Sequence, residues 1–345
     1  MGFIAIRKRV LELDPSIQIQ KKHPTQLLAG AFWLAVAIVI IVANLQQDLS
    51  IPLRILSSVG IGLSLAILTF FNHEILHGSI VPMKLAQILA YPGFFVFSLS
   101  PELWKTWHNH LHHYNANKPG GLDPDLAGDW NRLKNRKIGR LLIKLLPGSG
   151  HPASFLFNCI AFSAQCANVT WLRSREEPGF YKSMNRKRVV LETLVYYALW
   201  ITLFVVLPFS QFFFLLVIPT AIVNNIVFNY VGLPHNMRPL SQTNHPLETT
   251  LTLESPKFIN LLFFNFSLHT EHHVFPEANH SALARVREVL LREYPEEYCS
   301  VPHGQAIRAF YSTPRAYLDD QHLFDPETNR KVNLLELRKS GFHPS

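Results

Sequence analysis

The stretch Leu27–Leu45, LLAGAFWLAVAIVIIVANL, carries no charge over a length that crosses a bilayer as a helix. A second apolar run, Ile55–Phe71, follows the short polar link QQDLSIPLR. A third, Val189–Phe209, contains one acid, Glu192, and a fourth is Phe212–Leu233, FFFLLVIPTAIVNNIVFNYVGL. Pro208 and Ser210 mark a tight turn between the last two. The first run begins after Arg7, Lys8, Arg9, Lys21 and Lys22 and is too long for a signal-peptide core, so no cleavable leader is expected. Hydrophobic residues are 48% and charged residues only 16%, against about 25% charged in an average soluble domain. The charges gather between the apolar runs. This excludes a single water-soluble globule and a disordered chain.

Two more apolar stretches are ambiguous, Leu85–Leu99 with Pro92 and Gly93, and Ser154–Leu172 with Asn158, Gln165 and Asn168. Basic residues decide them. If only the four strong runs span, 31 of the 32 Lys and Arg fall on one side, with Arg54 the exception. Basic loops stay cytosolic. Letting Ser154–Leu172 cross would move Arg173–Arg188 outside, and letting both cross would move Lys105–Lys144. Both stretches are therefore read as helices in the membrane plane or packed against the bundle. The expected fold is an all-α membrane protein. Its four transmembrane helices form two hairpins (about 27–45, 55–71, 189–209 and 212–233) with a cytosolic histidine-rich helical cap. Residues 1–26 form a cytosolic amino-terminal segment, 27–300 the membrane domain, and 301–345 a cytosolic tail. After Ser281 the pattern predicts a polar helix, Leu283–Glu293, then irregular structure.

The net charge of +8 fits loops facing an anionic membrane surface, and no nucleic-acid partner is expected. Cys159, Cys166 and Cys299 have neither metal-like spacing nor a disulfide framework. The anomaly is histidine. Seventeen are present, and they cluster. His73-Glu-Ile-Leu-His77 lies at the cytosolic end of the second span. His108-Asn-His110-Leu-His112-His113 lies in the central segment, and His269-Thr-Glu-His272-His273 in the last. On a helix, positions i, i+3 and i+4 share a face, so His73 with His77, and His269 with His272 and His273, aim at common points. His108, His112 and His113 stand at i, i+4 and i+5, and His110 points the other way. His235, in Gly-Leu-Pro-His-Asn, is either interfacial or a ninth ligand. His23, His151, His245, His280, His303, His322 and His343 are read as polar surface residues.

So many imidazoles without a cysteine set imply a metal centre of nitrogen ligands, which suits Zn, Fe, Cu or Ni, and their number exceeds what one ion can use. A transporter should place ionisable residues mid-span, and the four runs hold only Glu192, near an end. Glu74, Glu271, Asp123 and Asp125 are either solvated loop acids or acceptors for the outer N–H of a ligating imidazole. Phe94–Phe97 and Phe263–Phe266 are packing, or the lining of a substrate tunnel.

NHEILHGS, WHNHLHH and HTEHHVFP resemble the three histidine boxes of the membrane fatty acid desaturase superfamily in order, spacing and side of the membrane, over about residues 27–300. The resemblance implies a non-haem di-iron enzyme that uses O2 and two electrons to desaturate, hydroxylate or ketolate an apolar chain. It implies His73, His77, His108, His112, His113, His269, His272 and His273 as iron ligands, with His235 as the extra ligand between the second and third boxes. EHHVFP followed by Val286-Arg287 is similar to front-end and sphingolipid desaturases. The expected activity is thus an O2-dependent lipid desaturase acting on an acyl chain of a fatty acid or membrane lipid. The LPH element and the Asp123–Asp125 loop also resemble carotenoid ketolases and hydroxylases, so those and lipid hydroxylases are the alternative. No dinucleotide motif, cysteine set for a cluster or fused haem domain is apparent. An external ferredoxin or cytochrome b5 is therefore expected to supply electrons. The expected location is a bacterial inner membrane or the endoplasmic reticulum, with the site on the cytosolic side.

Overall fold

The computed structural model describes residues 3–17, 23–120, 123 and 128–343. The protein is mostly helical (66%). Four helices are long and apolar enough to cross a membrane: Pro24–Gln46, Ile51–Leu76, Arg186–Val206 and Phe209–Asn236. Each expected run is found, with shifted ends. The second starts at Ile51 because Pro52, at a first-turn position, has no N–H to leave unsatisfied. The third stops at Val206, just before Pro208. The fourth contains a π-helical stretch, Phe213–Val217, ahead of Pro219, which lacks the N–H that would bond Leu215. Leu85–Leu99 and Ser154–Leu172 are broken. The former becomes Met83–Leu89, Tyr91–Phe94 and Phe95–Phe97, with Ser98 left-handed at φ 52°. The latter becomes Ser154–Asn158, Ala161–Asn168 and a π-helical Val169–Arg173. Neither forms a helix long enough to cross.

The chain divides into two compact units. The first comprises Met1–Lys21, His108–Asn158 and Asn229–Ser345, and the second Lys22–Trp107 and Cys159–Phe228. The second unit holds most of the spanning helices. Its helices approach closely where a side chain is missing. A Cβ on Gly30 would lie 2.4 Å from the Phe71 ring, and one on Gly62 would lie 2.9 Å from Ile222. Small residues of this kind let helices pack where lipid tails compete for apolar surface. Only 11% of the most apolar window of Pro24–Gln46 is buried, and Leu28, Phe32, Ile38 and Val39 point outward. A face so apolar and so uncovered requires a hydrocarbon solvent. Arg54, in the second span, is paired with Asp48 at 2.8 Å. Glu192 accepts hydrogen bonds from Arg188 Nε at 2.6 Å and from the hydroxyls of Tyr91 and Ser100 at 2.5 Å, so this acid of the third span is neutralised and solvated by protein.

In the first unit the amino-terminal helix Phe3–Leu13 packs Ile6 and Val10 into a core with Phe275, Leu283, Val286, Val289 and Leu290. The predicted helix Leu283–Glu293 is present with those bounds. The expectation of irregular structure beyond it is corrected. Ser300–Pro302 pairs in parallel with Thr252–Glu254, and Ala316–Tyr317, His322–Phe324 and Lys331–Asn333 form an antiparallel sheet. Helices His303–Ser312 and Leu334–Lys339 flank these strands in sequence. Arg315 is buried. Its guanidinium donates to the carbonyls of Phe310 at 2.7 Å, Pro147 at 3.1 Å and Asn236 at 3.3 Å, and burial pulls its pKa down to about 9. The Asn236 carbonyl is the last of its helix, so Arg315 satisfies a terminal acceptor that the helix cannot. Tyr317 donates its hydroxyl to the carbonyl of Arg238 at 2.8 Å.

Candidate metal centre

The first unit brings seven of the expected histidines together. His112, His235, His269 and His273 each offer a ring nitrogen, all within 4.8 Å of one another, and all four are buried. His108, His113 and His272 form a neighbouring set with the same spacing of nitrogens, again buried. His73 and His77 belong to the second unit. There their Nε2 atoms are 3.3 Å apart, with the Trp104 ring edge-on to both at 5.5 and 5.2 Å between centroids.

The second box owes its geometry to an unusual helix. Lys105–His112 is π-helical. In an α-helix His113, five residues after His108, falls off the face that His108 occupies. A π-helix bonds i to i+5 and brings the two round together. Their Nε2 atoms are 3.1 Å apart. His112, one residue earlier, turns to the other set, with ring centroids 4.7 Å from His235 and 5.0 Å from His273. His110 is exposed. Two consecutive histidines thus serve different sets.

Outer hydrogen bonds fix which nitrogen faces inward. Asp123 Oδ1 is 3.0 Å from His112 Nδ1, and both side chains are 1% exposed. The Thr249 carbonyl is 3.2 Å from His235 Nδ1. A carbonyl only accepts, so His235 carries its proton on Nδ1 and aims the Nε2 lone pair into the set. There it lies 2.7 Å from His269 Nε2. His273 Nε2 and His269 Nδ1 are buried and find no hydrogen-bond partner among the described residues. Burial and neighbouring imidazoles hold His269 and His273 well below the usual histidine pKa, and burial takes His272 to about 3. The rings are therefore neutral, and a metal needs neutral imidazoles. So many ring nitrogens converging within 4.8 Å fit an ion better than they fit one another. The donors are nitrogen only, the combination suited to Zn, Fe, Cu and Ni.

The expected acids separate. Asp123 touches His112. Glu271 accepts from Thr252 Oγ1 at 2.7 Å and from the Tyr298 hydroxyl, and burial raises its pKa. Glu74 accepts from Ser79 Oγ at 2.6 Å. Asp125 lies outside the described residues. His245 and His280, expected at the surface, are buried at 9% and 8% exposure, a correction. Phe264 lies edge-on to His280, with centroids 5.3 Å apart. Phe266 packs on the His269 ring at 5.1 Å, whereas Phe95 stacks on Trp200 at 5.0 Å.

The sequence reading missed Asn117. It adopts a left-handed φ of 58°, which Asn tolerates. Its main-chain N–H donates to Asp123 Oδ2 at 2.8 Å, and its side chain donates to the His235 carbonyl at 2.9 Å. The sequence marks this position only by the Lys118-Pro-Gly-Gly run that follows it, a composition that favours a turn.

Four apolar helices of spanning length and two sets of buried imidazoles define a membrane protein whose clustered ring nitrogens could hold metal. The family model for fatty acid desaturase matches residues 50–304, and the chain belongs to that family. Its function is accordingly of the fatty acid desaturase type or of a related member of the superfamily, an oxidoreductase function. No curated protein matches the chain.

Proposed function

We propose that this protein is an O2-dependent lipid desaturase that introduces a double bond into an acyl chain of a fatty acid or membrane lipid, using two non-haem irons. The observation that supports it is the division of seven buried imidazoles into two adjacent sets in one compact unit. One iron is assigned to His112, His235, His269 and His273. The other is assigned to His108, His113 and His272; the resemblance of the first box to the family's gives His73 and His77 as iron ligands too.

When bound, the iron pair supplies an oxidant strong enough to take two hydrogens from adjacent unactivated methylenes while O2, two electrons and two protons become water. The chain's own residues do the rest. Asp123 and the Thr249 carbonyl hold the outer nitrogens of His112 and His235, fixing ring orientation and tautomer. Phe266 on His269 gives the centre an apolar wall that keeps water out. Apolar spans with lipid-facing surfaces favour a substrate that arrives from the bilayer. The basic segments support a site on the cytosolic side, of a bacterial inner membrane or of the endoplasmic reticulum. A separate acidic donor, ferredoxin or cytochrome b5, supplies the electrons.

The test is gas chromatography with mass spectrometry of lipids from a host expressing the chain, beside a His272→Ala control. A new double bond that disappears with His272→Ala is expected. A hydroxylated or ketolated product would replace desaturation with carotenoid or lipid oxygenation. An unchanged lipid profile from membrane-inserted, iron-loaded protein would overturn the reading.

A further inference from the structure

The helix Lys137–Leu145 of the first unit shows three faces. Gly139 and Ile143 are buried and turn inward. Ile138 is 74% exposed, and Leu141, one turn on, is 54% exposed. Lys137 and Arg140 stand exposed beside that apolar stripe, and Lys134 and Arg136 precede it. The adjoining helix Ser154–Asn158 adds Phe155 and Leu156, 64% and 68% exposed. No acidic residue occurs from Trp130 to Arg175. In space, Glu327 pairs with Lys144 at 2.8 Å.

An outward apolar stripe costs free energy in water, and its basic border repels other cationic surfaces. Both features are satisfied where hydrocarbon and negative charge lie side by side, which is the headgroup boundary of an anionic bilayer. There the aliphatic stems of Lys137 and Arg140 cover apolar surface while their charged ends reach headgroups. This protein already has spans that require a membrane. We propose that the face formed by Ile138, Leu141, Phe155 and Leu156, bordered by Lys137 and Arg140, docks on the anionic surface of that membrane. The inference is independent of the metal chemistry.

The experiment uses the full chain in lipid nanodiscs, one copy per disc, with Cys159→Ser so that the remaining native thiols, Cys166 and Cys299, are buried. Leu141→Cys is labelled with a small environment-sensitive fluorophore, and the discs carry headgroup-level spin-labelled lipid as quencher. Discs containing anionic lipid should quench most of the fluorescence. Purely zwitterionic discs should quench clearly less. Adding K137E and R140E, both at exposed positions, should remove the difference, as should about 1 M salt, where the Debye length falls to roughly 3 Å. An unquenched label in anionic discs would overturn the proposal. So would quenching indifferent to lipid charge and to the charge reversal. A shift seen only when two copies share a disc would overturn it in favour of self-association.

Discussion

Asp123 joins His112 to Asn117. One carboxylate oxygen lies 3.0 Å from the His112 ring nitrogen, and the other accepts the Asn117 main-chain N–H at 2.8 Å. The acid cannot rotate without breaking one of the two contacts. Asn117 in turn donates to the main-chain carbonyl of His235. Two imidazoles of one set, from the second box and from the end of the fourth span, are thereby tied to a single buried acid. Asp123→Asn keeps the shape and removes the charge. Loss of such an outer partner lowers metal affinity about 10–100-fold. The check is metal titration of the purified variant with its circular dichroism unchanged. Unaltered affinity would show that Asp123 has only a structural part.

His112→Ala and His110→Ala form a matched pair inside one box. His112 is buried in its set, whereas His110 is exposed. Metal analysis of the His112 variant should show loss of bound metal and its lipid product should vanish, while the His110 variant keeps both. Equal metal content in the two would remove His112 from the ligand set.

Tyr317→Phe deletes the hydroxyl that donates to the Arg238 carbonyl. Leaving a buried acceptor short of a donor costs about 1–3 kcal/mol. The variant should melt at a lower temperature in detergent with its metal content intact. A melting temperature equal to that of the parent would mean that Asn117, which also donates to this carbonyl, suffices alone.

Metal-stripped protein should lose stability as the medium is acidified. The folded state holds His269, His272 and His273 below the ordinary value near 6.5, with His272 near 3. Above pH about 6.5 these rings are neutral in both folded and unfolded chains, and the stability is fully present. Below that the unfolded chain takes up protons first, so stability falls as pH drops toward 3. Thermal melts between pH 8 and 5 check this. A melting temperature that rose on acidification would contradict the burial of neutral rings.

The cytosolic placement is tested by single cysteines at Ser50, Lys118, Ser183 and Ser281 in a background lacking Cys159, Cys166 and Cys299. A membrane-impermeant thiol reagent applied to intact cells should label position 50 alone. Labelling at 183 from outside would mean that Ser154–Leu172 crosses, and the proposed sidedness would fall.

The spans were readable because an uncharged run of bilayer length has few other destinies. Leu283–Glu293 was readable because its apolar residues repeat at helical spacing. The clustering of histidines was equally plain, but their sorting was not. Reading the second box with α-helical geometry leaves His113 off the face of His108, and only the π-helical winding joins them. Nor can adjacency show that His112 and His113 face different sets. The tail strands, two or three residues each, are too short to display an alternating pattern, so they looked irregular. His280 is buried beside Phe264 and Asn265, which donates to its carbonyl at 3.0 Å from 15 residues earlier in the chain. A lone histidine gives no sign of that.

The first unit is stitched from three stretches of chain, and this orders its biosynthesis. His112 leaves the ribosome long before His235, His269 and His273, and Arg315 and Tyr317, which brace the helix end carrying His235, come later still. At about 5–20 residues per second the interval from His112 to Tyr317 lasts roughly 10–40 s. All four spans enter the bilayer within or before that interval, while the imidazoles of the second box await their partners. Completion of the four-histidine set is therefore a late, post-insertion event, and a nascent chain halted before residue 269 would be a membrane protein with half a binding site.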